Sequence, residues 1–139
     1  MTRINLIPVE ELSDQHLIRE YNELPRCIKQ DIDTSNAPVK YCLGTGHMKW
    51  AKHRSKFLID RYDKLCREME YRGFTVNYPV LQLWKYYRWH TVIADDNNYS
   101  PDGDDLLLSQ ARIKERIQLK PTWYRWTKRR IPDYVKEIL

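Results

Sequence analysis

The sequence predicts an all-α fold: one compact domain spanning residues 1–139, a bundle of three main helices with an irregular carboxyl-terminal tail. Three observations carry that expectation. Three stretches repeat apolar residues at helical spacing. Residues that start or stop helices bound each of them. The length of 139 residues, 42% of them hydrophobic, suits one core of about 14 Å radius of gyration and leaves no room for a second.

Ser13 can cap a first helix running from Asp14 to about Glu23. Leu17, Tyr21 and Leu24 fall at i, i+4 and i+7 and make one buried stripe. Pro25 is expected to end or bend that helix, and residues 31–38 read as a polar loop. A second helix is expected from His47 to Arg72, with Ala51, Leu58, Tyr62, Leu65 and Met69 as its apolar ladder. Arg72-Gly73-Phe74 is a stop, because glycine takes the left-handed conformation and Phe74 folds back on the last turn. Between Thr75 and Ser100 the pattern is ambiguous: LQLWKYYRWHTVI suits a short helix or a strand. The third helix follows Ser100-Pro101-Asp102, with acids at its positive end. Leu106, Ile113 and Ile117 form its buried face, and Pro121 closes it.

The formal charge is +5, from 24 Lys+Arg against 19 Asp+Glu, and its distribution is uneven. Residues 1–46 hold five basic and seven acidic side chains, whereas 47–90 hold ten and four. From Arg112 to Arg130 eight basic residues face only Glu115, interleaved with Trp123, Tyr124 and Trp126. Positive charge gains affinity for a polyanion by releasing counterions, and aromatic faces stack on bases. Nucleic acid is therefore the first partner to consider; a solvated helix followed by an aromatic anchor for the tail is the other reading. No apolar run approaches the ~20 residues needed to cross a bilayer, and MTRINLIPVEEL lacks the layout of a secretory signal. Cys27, Cys42 and Cys66 form neither a disulfide framework nor a CxxC half-site. A cytoplasmic protein with reduced thiols and no membrane partner is expected.

Familiar catalytic motifs are missing. Gly44-Thr45-Gly46-His47 is too short for a phosphate-binding loop and reads as a turn before the second helix. The acidic runs 95–98 and 102–105 lack EF-hand spacing and read as solvated acids around a helix start. His16, His47, His53 and His90 make no zinc pattern, so surface or packing roles are the default for each. What remains is the amino terminus. Thr2 is small enough to allow removal of the initiator methionine, which would bare an α-amine of pKa ~7.7–8.0 against ~10.4 for lysine. At pH 7 roughly a tenth of it is unprotonated, making it an accessible nucleophile for Schiff-base chemistry. On the first helix Arg19, Glu23 and Arg26 share one side. That carboxylate could act as a base and stabilise a developing cation, or the trio could be an ordinary surface ladder.

The blocks Thr2-Arg3-Ile4-Asn5-Leu6, Glu11-Leu12, Asp14-Gln15-His16-Leu17, Glu20-Tyr21 and Glu23-Leu24-Pro25-Arg26 resemble the phage and algal-virus pyrimidine-dimer DNA glycosylases, the T-even phage endonuclease V family. Leu43-Gly44-x-Gly46-His47, the Arg72-Gly73-Phe74 stop, Ser109-Gln110-Ala111-Arg112 and Pro121-Thr122-Trp123-Tyr124 are similar to it as well, in the same order. The resemblance implies an all-helical domain whose extended amino-terminal segment threads between helices to the active site. It implies a bifunctional DNA N-glycosylase and abasic-site lyase acting on double-stranded DNA with ultraviolet photoproducts or abasic sites. The Thr2 amine would attack the sugar of a cyclobutane dimer and Glu23 would manage the protons. β-Elimination would then cut the strand, without metal or organic cofactor. The family also kinks the duplex and flips a base opposite the lesion. The expected DNA-binding residues are Arg3, Gln15, Arg26, Arg112, Trp123, Tyr124, Arg125 and Trp126, with Arg116 and Lys120, which match the family only in charge but recur with Arg112 at four-residue spacing on one face of the third helix. For Trp123, packing the tail onto the core is an equal alternative. A monomer is expected, in the host cytoplasm if the chain is viral.

The chain departs from the family in three places. Asn22 stands where the family usually carries arginine. The loop after Arg26 is shorter and holds Asp31 and Asp33. The tail beyond Trp126 is longer, and its Lys128, Arg129 and Arg130 could replace the lost loop charge. Two rival functions follow: the same lyase chemistry on another damaged base, or a non-catalytic DNA-binding protein on the same scaffold.

Overall fold

The structure, a computed structural model, describes residues 4–30, 32–86 and 98–139. Thr2, Arg3, Asp31, His90 and residues 95–97 lie outside the described residues. The described part is all-helical, with no strand. Helix α1 runs Asp14–Lys29, α2 His47–His53, α3 Ser55–Arg72, α4 Gly103–Leu119 and α5 Asp133–Lys136, with 3-10 segments at Val9–Glu11 and Val80–Tyr86.

Helix α1 starts where expected: Ser13 Oγ accepts from the His16 N–H at 3.1 Å, satisfying one of the free donors of the first turn. Its end differs from expectation. The helix continues through Pro25, which is buried within it. Proline removes the hydrogen bond to the Tyr21 carbonyl, but the next turn buries Cys27 and Ile28 at 0% and 1% exposure. The Lys52 ammonium donates to the Ile28 carbonyl as well. Apolar burial and this cap hold the last turn in place.

The expected helix from His47 to Arg72 is two helices. The break falls at Arg54, at φ −104° and ψ 47°, with no glycine or proline to mark it. The Arg54 guanidinium reaches the Val39 and Asn98 carbonyls at 3.0 and 3.2 Å, contacts far away in the chain. The apolar ladder is buried as expected, and Tyr62 stacks on Tyr21 of α1 with centroids 5.6 Å apart. Gly73 takes φ +92°. Its N–H bonds to Glu70 O at 3.0 Å and that of Phe74 to Met69 O at 2.8 Å, the paired bonds of a left-handed helix stop.

The ambiguous stretch opens as the 3-10 segment Val80–Tyr86; its remainder, 87–97, lies outside the described residues. Helix α4 begins in a reciprocal capping box between Asp102 and Asp105. Asp105 is not a solvated acid: it is 3% exposed and receives the Tyr99 hydroxyl at 2.6 Å. The buried face of α4 is Ser109, Ile113 and Ile117, with Leu106 half-buried. The helix ends at Leu119, so Lys120 caps it and does not extend the Arg112–Arg116 row as a helical residue.

The amino-terminal segment is not helical and is buried from Ile4 to Ile7. The tail is fastened to the start of α1. Asp14 N–H donates to Arg125 O at 2.7 Å, and its carboxylate receives the Thr127 N–H and hydroxyl at 3.0 and 2.6 Å. Arg72, buried at the end of α3, joins that carboxylate at 2.9 Å and Glu68 at 2.8 Å.

Candidate functional site

A small cleft of about 90 Å³ opens where α1, α4 and residues 123–124 meet. Its α1 wall is Gln15, His16, Arg19, Glu20 and Glu23, which fall on one side of that helix. Arg112, Ile113 and Arg116 of α4 face them, Trp123 and Tyr124 close one end, and Asn5 of the amino-terminal segment is also in its lining. A wider cleft of about 490 Å³ lies alongside, lined by Gln15, Ile18, Arg19, Asn22, Glu23, Arg26 and Trp123. Gln15, Arg19, Glu23 and Trp123 line both clefts.

The carboxylates divide the work. Glu20 is 1% exposed and bound by the Arg61 guanidinium and by Asn5 Nδ2, the latter at 2.9 Å. Glu23 retains 15% side-chain exposure and meets Arg19 Nε at 3.3 Å. It is the carboxylate available to a ligand, set among Arg19, Arg112 and Arg116. His16 lies flat on Tyr124, centroids 4.9 Å apart and planes 8° from parallel. Burial, with help from Arg19 and Arg116, pushes its imidazole down to about 4, so the ring is neutral near pH 7.

The structure brings together six expected site residues, Gln15, Glu23, Arg112, Arg116, Trp123 and Tyr124, and puts Arg26 on the adjoining cleft. Lys120 sits over the Trp123 ring at 5.3 Å. Arg125 contributes its backbone to Gln15 and Asp14. The two tryptophans exchange the roles considered for them. Trp123 is 53% exposed at the cleft mouth, whereas Trp126 packs against the core and donates its Nε1–H to Glu11 O at 3.1 Å. Thr2 and Arg3 lie outside the described residues. Arg19, expected beside Glu23, lines the cleft too; His16, expected only in a surface or packing role, and Asn5 and Glu20, expected in no binding or catalytic role, join it. The positions 15, 16, 19 and 23 on one helical side were the available signal.

The added tail charge is largely committed elsewhere. Arg129 forms two hydrogen bonds to Glu68, at 2.8 and 2.9 Å, and covers the Tyr71 ring. Lys128 donates to the Tyr71 carbonyl at 3.0 Å. Among the described residues, no three His, Cys, Asp or Glu side chains gather as a metal site, and no helix is long and apolar enough to cross a membrane.

Residues 1–82 match the family described as pyrimidine dimer DNA glycosylase. The chain belongs to that family. This glycosylase is thus a DNA-repair protein of a family that acts on DNA containing pyrimidine dimers. The match covers the α1 wall of the cleft, with Gln15, Glu23 and Arg26, and stops before α4. Arg112, Arg116 and the Trp123–Tyr124 lip lie beyond it.

Proposed function

We propose that this glycosylase excises ultraviolet-induced cyclobutane pyrimidine dimers through a Schiff base with the Thr2 α-amine and then cuts the strand as an abasic-site lyase. Glu23 takes a proton from the amine, whose lone pair attacks C1′ of the 5′ nucleotide. The C1′–N bond breaks and the base leaves with the bonding electrons. The second amine proton passes to water, C1′–O4′ breaks as Glu23 gives O4′ the proton it took, and a protonated imine is left beside the Glu23 carboxylate. Removal of a C2′ proton then expels the 3′ phosphate, and water releases the amine.

One observation carries this reading: Asn5 and Glu23 line the same cleft. The nitrogens of residues 2 and 4 are at most about 7 Å apart along the chain, and this short tether supports pairing the amine with that carboxylate. Arg112, Arg116, Arg26 and Lys120 suit phosphate contacts that fix register, while the exposed Trp123 suits stacking against a base. The enzyme acts as a monomer and, as in its family, flips a base opposite the lesion.

Borohydride trapping on an abasic duplex tests the chemistry. A covalent adduct mapped to residue 2 is expected, together with nicking of irradiated plasmid. No adduct from protein with a verified free Thr2 amine would leave a non-catalytic DNA binder. An adduct on abasic DNA without action on irradiated DNA would move the activity to another damaged base.

A further inference from the structure

An amino-terminal segment ordinarily frays unless something ties it down, yet nucleophilic attack needs the reacting nitrogen held close to one geometry. We propose that Tyr41 and His47 are positioning residues that clamp the Ile4 peptide from both sides and so set the register of the residue 2 amine. This rests on the amine chemistry proposed above.

The clamp is visible atom by atom. The Ile4 N–H donates to His47 Nε2 at 3.2 Å, and the Ile4 carbonyl accepts the Tyr41 hydroxyl at 2.7 Å. The two bonds flank a single α-carbon, two residues from the amine. His47 can accept only in one tautomer. Its Nδ1 lies 2.7 Å from the Cys42 carbonyl, which has no proton to give, so Nδ1 carries the hydrogen and Nε2 presents its lone pair. The ring is fully buried, edge-on to Tyr41 with centroids 5.6 Å apart. Gly46 delivers it: φ is +92°, and a Cβ there would meet Pro38 Cγ at 3.0 Å. Tyr41 is secured in turn, its N–H donating to the Tyr99 hydroxyl at 2.9 Å, which donates to Asp105.

Further along, the segment is held by other elements. Asn5 Nδ2 bonds to Glu20 of α1, the Leu6 N–H to Ser109 Oγ of α4 at 3.0 Å, and the Ile7 carbonyl to Arg61 of α3 at 2.9 Å. Among the described residues, all backbone hydrogen bonds of residues 4–7 go to side chains. A β-ladder tolerates a slip, because the next peptide offers the same groups. Side chains from separate elements offer no second register, and this gives the Gly46-His47 pair at the start of α2 a role.

Distance from the amine gives the test. Tyr41→Phe deletes the hydroxyl hydrogen bond to residue 4, and Ser109→Ala deletes the one to residue 6 together with the Ser109 contact to the Tyr41 hydroxyl. Both keep the packing, and His47→Gln and His47→Leu respectively keep and remove the acceptor. Single-turnover borohydride trapping on abasic duplex, duplex affinity and Tm are measured for each. Tyr41→Phe is expected to slow trapping by about 10- to 100-fold, the range that an ångström of misplacement costs, with affinity within about 2-fold. Ser109→Ala should slow it several-fold less, and His47→Gln should retain more rate than His47→Leu. Equal slowing by Tyr41→Phe and Ser109→Ala, or slowing that follows Tm across the set, would reduce the clamp to ordinary stabilisation. An unchanged Tyr41→Phe rate would remove it. If the parent adduct maps to a residue other than 2, the amine chemistry itself fails, whatever the variants do.

Discussion

Gln15 holds Trp123 at the cleft mouth through its backbone: the Gln15 Nε2–H donates to the Trp123 carbonyl at 2.7 Å, while Oε1 accepts the Arg125 N–H at 3.0 Å. Both ends of the carboxamide are thus used on the tail. Gln15→Ala would delete two hydrogen bonds of about 1 kcal/mol each and loosen the lip. KM for irradiated DNA is expected to rise about 10-fold, with a smaller change in kcat, and Trp123 fluorescence to become more accessible to a soluble quencher. Unaltered quenching alongside a raised KM would instead make Gln15 a direct DNA contact.

Glu23 is the partly exposed carboxylate of the cleft. Glu23→Gln preserves shape and hydrogen bonding but removes the base, a change worth roughly 10²- to 10⁴-fold in positioned proton transfer. Trapping and strand cleavage should both fall in that range. Affinity for abasic duplex should hold or improve, because a negative charge leaves a DNA-facing surface. A variant that cleaves at the parent rate would exclude Glu23 from the chemistry.

The basic residues separate into two groups. Arg112 and Arg116 face the cleft, so replacing both with Gln should reduce the slope of log affinity against log salt by about 1.8, from ~0.9 per phosphate contact. Arg129 is bound to the buried Glu68, so Arg129→Gln should lower Tm and leave that slope unaltered. A fall in slope for Arg129→Gln would return the tail charge to the DNA surface.

His16 couples the cleft to acidity. Its folded pKa lies at about 4, held down first by burial and then by Arg19 and Arg116, against ~6.5 in an unfolded chain. Above that unfolded value both states are neutral and the residue contributes no slope. As pH falls from ~6.5 to ~4 the unfolded chain takes a proton that the folded one refuses, so stability drops by up to about 3 kcal/mol. Denaturant midpoints at pH ~7 and ~4.5 should show the loss in the parent, and a clearly smaller one in His16→Gln. Parallel loss in both would assign acid sensitivity to other groups.

Local signals determined much of this protein before any packing was known. Ser13 caps α1, Gly73 stops α3 and Asp102 opens α4, because each acts on peptide groups within one helical turn. Apolar periodicity found the buried faces for the same reason, and the amino-terminal and Glu23-Leu24-Pro25-Arg26 blocks identified the family. Only the tertiary structure decided where those signals are overruled. Helix α1 passes Pro25 because Cys27 and Ile28 find a core, and the chain breaks at Arg54 because its guanidinium is held by Val39 and Asn98. Trp126 is drawn inward by the Glu11 carbonyl while Trp123 is left outside. The segment from Ile4 to Ile7 takes its register from five side chains, 15 to 103 residues away. Such bonds depend on which elements meet in space, a relation that neighbouring residues in the chain do not encode.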